Sequence, residues 1–441
     1  MSKFKSRICC FIVIIAMLVF VLPASVVIAQ TAKAKALSDA IFKTNMVTSG
    51  ESNGKLNLTL KAEGLSKQDL EDFAGVSDFI NDFQVSYNTK TSGNSEGTIL
   101  KQYVNMSANV GGSPYSGELW SDINLTGTTP VVKGIVKSPQ IFEMMLDPQY
   151  MDKYMLVDFQ QIKEMPEMQA ELGSMDFGKM ITENKELQQL LLNLTEKYSS
   201  QLHLDYRLVS NDGNVYKVKI DDSKFKDIIS KVVNLTAKNK DVQNSIKDLI
   251  TIEMKNSGAS TGEINSTKDE MQQMFTSLES QEFLDEFNQT MDKLKEVKIL
   301  GDKGIEITYT IDENGYVKST KGDIELVADM EKLDKVFSES STSTITESVP
   351  SGSYTAGIHF EVNNSNINGQ VNVELPILTS SNSFNMMEIL EAIEDPQPEI
   401  VEHTVTGGQL PNTSTHLFEL LLIGAALTLV GVLGFTSRKA L

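Results

Sequence analysis

The sequence predicts an α+β protein, built from a large curved antiparallel sheet with helices packed on one face and a hydrophobic segment at each terminus. Three observations lead to this prediction. Apolar residues alternate with polar residues in several segments, turn-forming pairs stand near these segments, and amphipathic helical patterns lie between them. A strand with one apolar face needs a cover, and amphipathic helices supply it.

Strands are predicted where apolar residues recur at every second position, the pattern of a strand with one buried face. Five segments show it: Leu56 to Ala62, Leu202 to Leu208, Ile305 to Ile311, Tyr354 to Val362, and Val371 to Leu375. Pairs that favour tight turns predict hairpins and therefore antiparallel pairing. These pairs are Gly111-Gly112, Asp212-Gly213, Asn314-Gly315 and Asn363-Asn364.

Helices are predicted where apolar residues recur at helical spacing. One helix is expected to begin at Ser66, with Asp69 three residues later and with Leu70 and Phe73 pointing inward. A longer helical region is expected to begin near Ser266, where Asp269 would complete a capping box. The segments 187–194 and 225–232 have the same spacing.

Two segments, 206–229 and 309–337, share the order strand, glycine turn, strand and helix. A distant duplication would produce this likeness and would make the body two related halves. Any unit of this kind has the same outline, however, so both interpretations stay open. At the level of element order, the body also loosely resembles the half-barrel lipoprotein-carrier fold, which implies helices on the concave face of a curved sheet.

The N-terminus has the pattern of a secretory signal peptide. Basic residues at positions 3, 5 and 7 precede an apolar run from Ile8 to Leu22, Pro23 breaks the run, and Ala29 offers a small residue for cleavage. We therefore expect residues 1–29 to be removed; the alternative is an uncleaved anchor. Residues 30–54 are interpreted as a lead segment and residues 55–394 as the folded ectodomain.

Both cysteines of the chain, Cys9 and Cys10, lie inside the predicted signal peptide. The mature chain would therefore contain none, which excludes disulfides, thiolate metal sites and cysteine catalysis. An exported chain of this size without cysteine is typical of Gram-positive bacteria.

The C-terminal segment, residues 410–441, has three parts. The sequence Leu-Pro-Asn-Thr occupies positions 410–413, an apolar stretch follows from Leu417 to Phe435, and Arg438 and Lys439 come last. The apolar stretch is about long enough to span a bilayer as a helix. The basic tip would stay on the cytoplasmic side.

This arrangement resembles the cell-wall sorting signal of Gram-positive surface proteins, the Leu-Pro-x-Thr-Gly class that sortases recognise. The resemblance implies that a sortase cysteine attacks the carbonyl of Thr413 and that peptidoglycan then takes the acyl group. Leu410, Pro411, Thr413 and Ser414 would form the recognition and attachment site. Ser414 replaces the usual glycine, which leaves open which sortase acts. The alternative is a plain membrane anchor.

The resemblance also implies partners and a location. The partners would be a sortase, peptidoglycan and, before sorting, the membrane. Residues 395–409 have the composition of a linker, and about fifteen extended residues reach only about 50 Å. Because a Gram-positive wall is several times thicker, the body is expected deep in the wall, close to the membrane.

The charge of the chain argues against a nucleic-acid partner. The two terminal segments hold five basic residues and one acidic residue, so their removal changes the net charge from −20 to −24. A polyanion of this kind is a poor match for nucleic acid or anionic lipid.

Methionines are concentrated between residues 144 and 180. Thioethers can bind Cu(I), but no cysteine or histidine lies near in sequence, and methionine also fills irregular cores. A third interpretation is a soft apolar groove for a lipid or peptide. Its candidate lining residues are Met144, Met145, Met151, Met155, Met165 and Met168. No metal and no cofactor is assigned.

Catalytic signals are weak. His203 and His359 fall on the polar phase of their predicted strands and are expected to face solvent. No histidine pair has metal-ligand spacing, and no Gly-x-Ser-x-Gly motif surrounds a serine. We therefore predict a wall-anchored, non-enzymatic protein that binds an apolar ligand. The alternatives are an interaction or structural module of the envelope and, third, a hydrolase that uses unassigned carboxylates.

Overall fold

The computed structural model describes residues 32–110, 112–126, 130–137, 148–164, 207–256, 259–338 and 352–388, together with residues 190, 193, 194, 198, 201, 202 and 204. The predicted signal peptide, linker and sorting signal lie outside these residues. No helix in the described part of the chain is long and apolar enough to cross a membrane.

Twelve strands of the described residues form one open sheet in the order β12-β6-β5-β4-β3-β2-β1-β11-β10-β9-β8-β7. The strands are β1 Gly50–Glu63, β2 Gln84–Gly93, β3 Ile99–Val110, β4 Ser113–Asn124, β5 Val131–Lys137, β6 Tyr154–Asp158, β7 Val209–Asp212, β8 Val215–Ile220, β9 Leu300–Ile311, β10 Val317–Asp329, β11 Ser353–Ser365 and β12 Ser383–Asn385.

Eight α-helices accompany this sheet in the same described ranges. They are α1 Ala32–Asn45, α2 Lys67–Asn81, α3 Phe159–Glu164, α4 Asp222–Lys238, α5 Lys240–Asn256, α6 Thr261–Leu278, α7 Gln281–Leu294 and α8 Met330–Ser338. The fold is thus α+β with one large sheet, as the sequence predicted in outline. The prediction of an antiparallel sheet was wrong at one edge. There β12, which follows a described segment without strands, pairs parallel with β6.

Strand β1 lies near the middle of the sheet. It pairs with β11 along its whole length but with β2 only as far as Asn57. Beyond that point helix α2 replaces β2: Asn81 Oδ1 accepts from the backbone N–H of Leu60, while Ser77 Oγ and Asn81 Nδ2 donate to the Leu60 carbonyl. These bonds satisfy backbone groups that a free strand edge would expose.

Two hydrophobic clusters hold the fold. The larger joins helices α1 and α4 to α7 to strands β7 to β10, with Leu37, Phe275 and Ile305 among its buried members. The smaller gathers Ile123 and Val157 with α3 and the start of the helical turn after β12. Strand register places Ile123 on the same sheet face as Ile305, so both clusters use one face, called the inner face below.

The segment predicted as a lead is partly structured. Residues 32–45 form α1, and β1 begins at Gly50, five residues before the predicted start of the ectodomain. Leu37 of α1 is completely buried in the larger cluster. The segment therefore contributes to the core.

A largely buried ion pair within α4 is hydrogen-bonded to the backbone of residues 297–300, at the start of β9. Lys226 Nζ lies 2.5 Å from Asp222 Oδ2 and donates to the Val297 carbonyl at 2.6 Å. Asp222 Oδ1 accepts from the backbone N–H groups of Ile299 and Leu300, both at 2.8 Å. The carboxylate therefore binds a buried cation and two backbone donors at once.

The predicted start of α2 is confirmed, but one of its inward residues is wrong. Ser66 is the N-cap, and its hydroxyl accepts from the N–H of Asp69. Phe73 packs edge-on against Tyr354 with ring centroids 5.6 Å apart. Leu70, in contrast, is 51% exposed. The helix lies along the edge of β1, so a narrower stripe than predicted meets the sheet.

Helix α6 starts earlier than predicted. Its capping box uses Ser260 and Glu263, with both reciprocal hydrogen bonds present, and Ser266 and Asp269 lie inside the helix. The same Ser-x-x-acid pattern occurs at both places, and the helix takes the earlier one. Met271, Phe275 and Leu278 form its buried face.

Three predicted turns are confirmed by left-handed backbone at Gly112, Gly213 and Gly315. The prediction of a turn at Asn363-Asn364 was wrong. Strand β11 continues through both residues, because β1 pairs with it as far as the Glu51–Ser365 pair. The backbone becomes left-handed only at Asn366 and Asn368.

Two predicted strands are also wrong. Leu202, Leu204 and Leu208 lie outside any strand, although Leu202 and Leu208 are buried in the core, and the strand begins at Val209. Val371 and Val373 are buried without belonging to a strand. In both places the alternation marks burial of every second side chain but not a ladder of backbone hydrogen bonds. The two segments with the shared outline do form strand, turn, strand and helix, which is compatible with either origin.

Candidate functional site

A cavity of about 280 Å³ lies on the inner face, where the C-terminal end of α1 crosses the middle of the sheet. Its floor comes from β1, β2, β9, β10 and β11, and its roof comes from α1 and residues 47–49. We call it the α1 cavity. Its volume is close to the lower limit of about 300 Å³ that is usual for small-molecule sites.

Hydroxyl groups and glycine form much of this floor. Strand register sets Gly50 opposite Thr91 and Ser52 opposite Thr89, so these four residues face the cavity together. Ser52 and Thr89 are buried. The hydroxyl groups at this end of the floor are neutral, and the carboxylate of Glu51, between Gly50 and Ser52 on β1, lines the cavity beside them.

A tyrosine ring closes one side of the cavity. A Cβ on Gly54 would lie 2.4 Å from the ring of Tyr87, which shows that this ring occupies the space above the glycine. Burial raises the pKa of the Tyr87 phenol, and the nearby Ser52 hydroxyl partly offsets the rise. The phenol is therefore neutral at physiological pH.

The far side of the cavity is also neutral. Burial raises the pKa of Tyr309 to about 12. Thr320 and Val362 stand opposite each other on β10 and β11 and continue the wall. Glu51 is the single ionisable carboxylate among the described lining residues, and none of them carries a basic side chain.

The roof is fastened to the β9–β10 hairpin. Thr44 Oγ1 donates to the Ala40 carbonyl at 2.7 Å and accepts from the backbone N–H of Val317 at 2.7 Å. Lys43 Nζ donates to the Asn314 carbonyl and lies 4.2 Å from the centroid of the Tyr316 ring. These contacts fix the end of α1 over the cavity.

A row of buried polar side chains continues from the floor toward β4. Gln102 stands opposite Thr91 and Ser121 stands opposite Gln102. Gln102 Nε2 donates to Thr91 Oγ1 at 3.4 Å. Gln102 and Ser121 are each 2% exposed, yet Gln102 Oε1 and Ser121 Oγ have no hydrogen-bond partner in the described structure. A buried polar atom without a partner is costly.

The described members of the predicted methionine groove lie elsewhere. Met151 is exposed after a short 3₁₀ turn, and Met155 on β6 packs against the smaller cluster. Neither lines the α1 cavity. The other candidates, Met144, Met145, Met165 and Met168, lie outside the described residues, as do the sorting residues Leu410, Pro411, Thr413 and Ser414.

His359 lies on the polar face of its strand, as predicted, but it has an acidic partner there. Its side chain is 30% exposed, and its Nδ1 lies 2.5 Å from Asp323 Oδ1 across the β10–β11 pair. Lys303 Nζ lies 3.7 Å from the same carboxylate oxygen. These residues occupy the sheet face opposite the α1 cavity. His203 lies outside the described residues, and no group of three metal-binding side chains is found in the described ranges.

Only a weak signal in the sequence indicates the α1 cavity. Ser52 has the same strand parity as Leu56 and Leu58, and Thr89 and Thr91 have the parity of Val85 and Tyr87. The signal is that these hydroxyl residues occupy strand positions whose side chains face the core. The roof could not be found in this way, because α1 is brought over the sheet by tertiary packing.

Comparisons with protein-family models, curated proteins and solved structures found no match to this chain.

Proposed function

We propose that this chain is an exported, wall-anchored, non-enzymatic binding protein of a Gram-positive bacterium, and that it holds an apolar or amphipathic ligand in the α1 cavity. The observation that carries the binding role is the cavity itself, which combines apolar side chains such as Ile41, Val47 and Val362 with neutral hydroxyl groups. Concave sites with mostly apolar walls and a few polar groups are typical of small-molecule binding.

The size of the cavity limits the ligand. About 280 Å³ suits a single hydrocarbon chain or one small ring system. A folded peptide would need more room. The half-barrel carrier fold, which the body loosely resembles, would let the sheet curve around such a ligand. At the middle of the sheet, the ring of Tyr87 packs closely above Gly54.

Retention of a ligand tests this role. Thr320→Phe should fill the cavity, and Thr308→Phe is its matched control, because Thr308 lies on the neighbouring strand β9 and on the opposite sheet face. We expect native mass spectrometry of the purified full-length protein to show an apolar bound mass in the wild type and in Thr308→Phe. The mass should be absent in Thr320→Phe.

Circular dichroism should first establish that both variants are folded. A bound mass that survives unchanged in Thr320→Phe would place the ligand outside the α1 cavity. A wild-type protein that carries no apolar mass and binds none on addition would contradict the binding role.

Anchoring in the inner wall is supported by the sequence signals at the two termini and by the short linker, residues 395–409. Thr413→Ala should leave the protein in the membrane fraction, because the resemblance places the acyl transfer at the Thr413 carbonyl. The wild type should be released only by muralytic digestion. Asn412→Ala is the control, since x in Leu-Pro-x-Thr varies. Complete extraction of the wild type by detergent alone would refute covalent anchoring.

A second candidate function is a protein-interaction module. Leu70, Val76 and Phe79 on α2 are each about half exposed. Acidic residues such as Asp69 and Asp78 flank them. An apolar patch with acidic neighbours would suit a basic amphipathic partner. Loss of partner capture from Phe79→Ser, with ligand retention intact, would favour this function.

A further inference from the structure

We infer that the α1 cavity selects a neutral, hydroxyl-bearing, single-chain amphiphile, such as a monoacylglycerol, over a fatty-acid anion of the same chain length. This inference rests on the proposed binding function and specifies the chemical class of its ligand. It is carried by three observations: the charges of the lining, the hydroxyl groups of the floor, and the unpartnered polar atoms beside the floor.

The charges of the lining disfavour an anion. The described lining has no lysine, arginine or histidine, and its carboxylate is that of Glu51. A buried carboxylate without a cationic partner pays a large desolvation cost. Lys43, near the C-terminal end of α1, is committed to the Asn314 carbonyl and the Tyr316 ring. A fatty-acid head group would find no ion pair at the floor.

The floor offers neutral hydrogen-bonding groups in place of charge. Ser52, Thr89 and Thr91 contribute hydroxyls from neighbouring strands, and Tyr87 adds a phenol that burial keeps neutral. A hydroxyl can donate and accept at once. Such a floor matches a head group that also carries hydroxyls, because each hydroxyl can act as the donor or as the acceptor that its partner needs.

Two buried oxygen atoms indicate where the head group binds. Gln102 Oε1 and Ser121 Oγ lack hydrogen-bond partners in the described structure, and Gln102 is linked to the floor through Thr91 Oγ1. If the Gln102 amide turned toward the cavity, a ligand hydroxyl bound beside Thr91 would donate to its free oxygen. Carboxylate oxygens only accept and could not serve an unpartnered carbonyl acceptor.

The apolar walls then define the path of the tail. Ile41 and Val47 belong to the roof, and Val362 and Ile367 belong to β11 and the residues after it. Tyr309, Val317 and Val362 lie on β9, β10 and β11, across β1 from the Thr89–Thr91 end of the floor. A head group at β2 and a tail toward β11 would use the polar and apolar parts of the cavity separately.

Three probes with the same eight-carbon tail test the inference on the full-length protein: 1-monooctanoylglycerol, octanoate and octyltrimethylammonium. Short tails keep the probes monomeric in solution. Binding is measured by titration calorimetry at neutral pH after delipidation. We expect the neutral diol to bind at least about tenfold more tightly than octanoate, since one unpaired buried charge costs more than a kilocalorie-scale hydrogen bond.

A hydroxyl deletion tests the polar floor directly. Thr91→Val keeps the shape of the side chain and removes its Oγ1. We expect about three- to tenfold weaker binding of the diol, the range of one net hydrogen bond. The matched control Thr308→Val lies on the opposite face, and its binding should be unchanged. Affinity for a tail without a hydroxylated head, such as octyltrimethylammonium, should not fall in Thr91→Val.

The outcomes separate this inference from the proposed function. Equal or tighter binding of octanoate, or tightest binding of the cationic probe, would overturn the inference and leave apolar-ligand binding intact. Unchanged diol affinity in Thr91→Val would also overturn it. Failure of all three probes, together with absence of any native apolar mass, would overturn the proposed function itself.

Discussion

Replacement of Asp222 by alanine is expected to lower the free energy of unfolding by about 3–4 kcal/mol, as for removal of one partner from a buried ion pair. Lys226 is only 6% exposed, and the carboxylate of Asp222 is its charged partner. The substitution would leave that cation buried with a single carbonyl acceptor. It would also strip the backbone N–H groups of Ile299 and Leu300 of their acceptor.

A matched exposed pair isolates the effect of burial. Asp292 and Lys295 form an ion pair whose side chains are about 70% exposed. Asp292→Ala should cost far less than Asp222→Ala, because water screens and solvates such pairs. Urea unfolding of both variants measures the difference. Equal losses would mean that the Asp222–Lys226 pair is no more important than a surface contact.

The same pair should also appear in the pH dependence of stability. Burial opposes ionisation of Asp222, but the hydrogen bonds from Lys226, Leu300 and Ile299 outweigh it and hold its pKa below the usual value. A carboxyl with a depressed folded-state pKa stabilises the fold above its unfolded pKa, near pH 4, and loses that contribution as the pH falls through its folded pKa. The gap between wild type and Asp222→Ala should narrow there.

Gly304→Ala is expected to cost about 2–5 kcal/mol. Gly304 has a left-handed φ of +64°, and a Cβ there would lie 2.3 Å from the backbone carbonyl oxygen of Ile220. The backbone must shift, because the obstacle is not a flexible side chain. The left-handed conformation adds about 1–2 kcal/mol and the forced contact about 1–3 kcal/mol.

Gly213→Ala provides the control. Gly213 also has a left-handed backbone, with φ +56°, but a Cβ there would meet no atom within 4 Å. Gly213→Ala should therefore lower the free energy of unfolding by only about 1–2 kcal/mol, from backbone strain alone. The two variants are compared by chemical denaturation. If Gly304→Ala were no worse than Gly213→Ala, the contact with Ile220 would not constrain the β8–β9 junction.

The predictable parts of this fold were those that local chemistry decides. The alternation in β1, β9 and β11, the cap at Ser66 and the left-handed turns at Gly213 and Gly315 each follow from a few neighbouring residues. Strands β2 to β4 escaped prediction because serine, threonine and asparagine interrupt their apolar phase. Their place in the sheet depends on neighbours that the local pattern does not specify.

The candidate site was harder to foresee for a different reason. Its members come from α1, β1, β2, β9, β10 and β11, which are far apart in sequence. The pairing of His359 with Asp323 has the same origin, since only the β10–β11 register brings them together. Periodicity says which side of a strand a residue occupies, but not which partner it meets there.

The pairing of β1 with β11 also has a consequence for the order of folding. Leu56 meets Phe360, and almost the whole described body separates them along the chain. This edge of β1 cannot close before residues 353–365 are available, so formation of the central pair carries a large loop-closure cost and is expected to be slow. Until residues 353–365 are available, β1 would remain unpaired along its β11 edge. Under the proposed export route, that delay would keep the polypeptide threadable until nearly all of it has crossed the membrane.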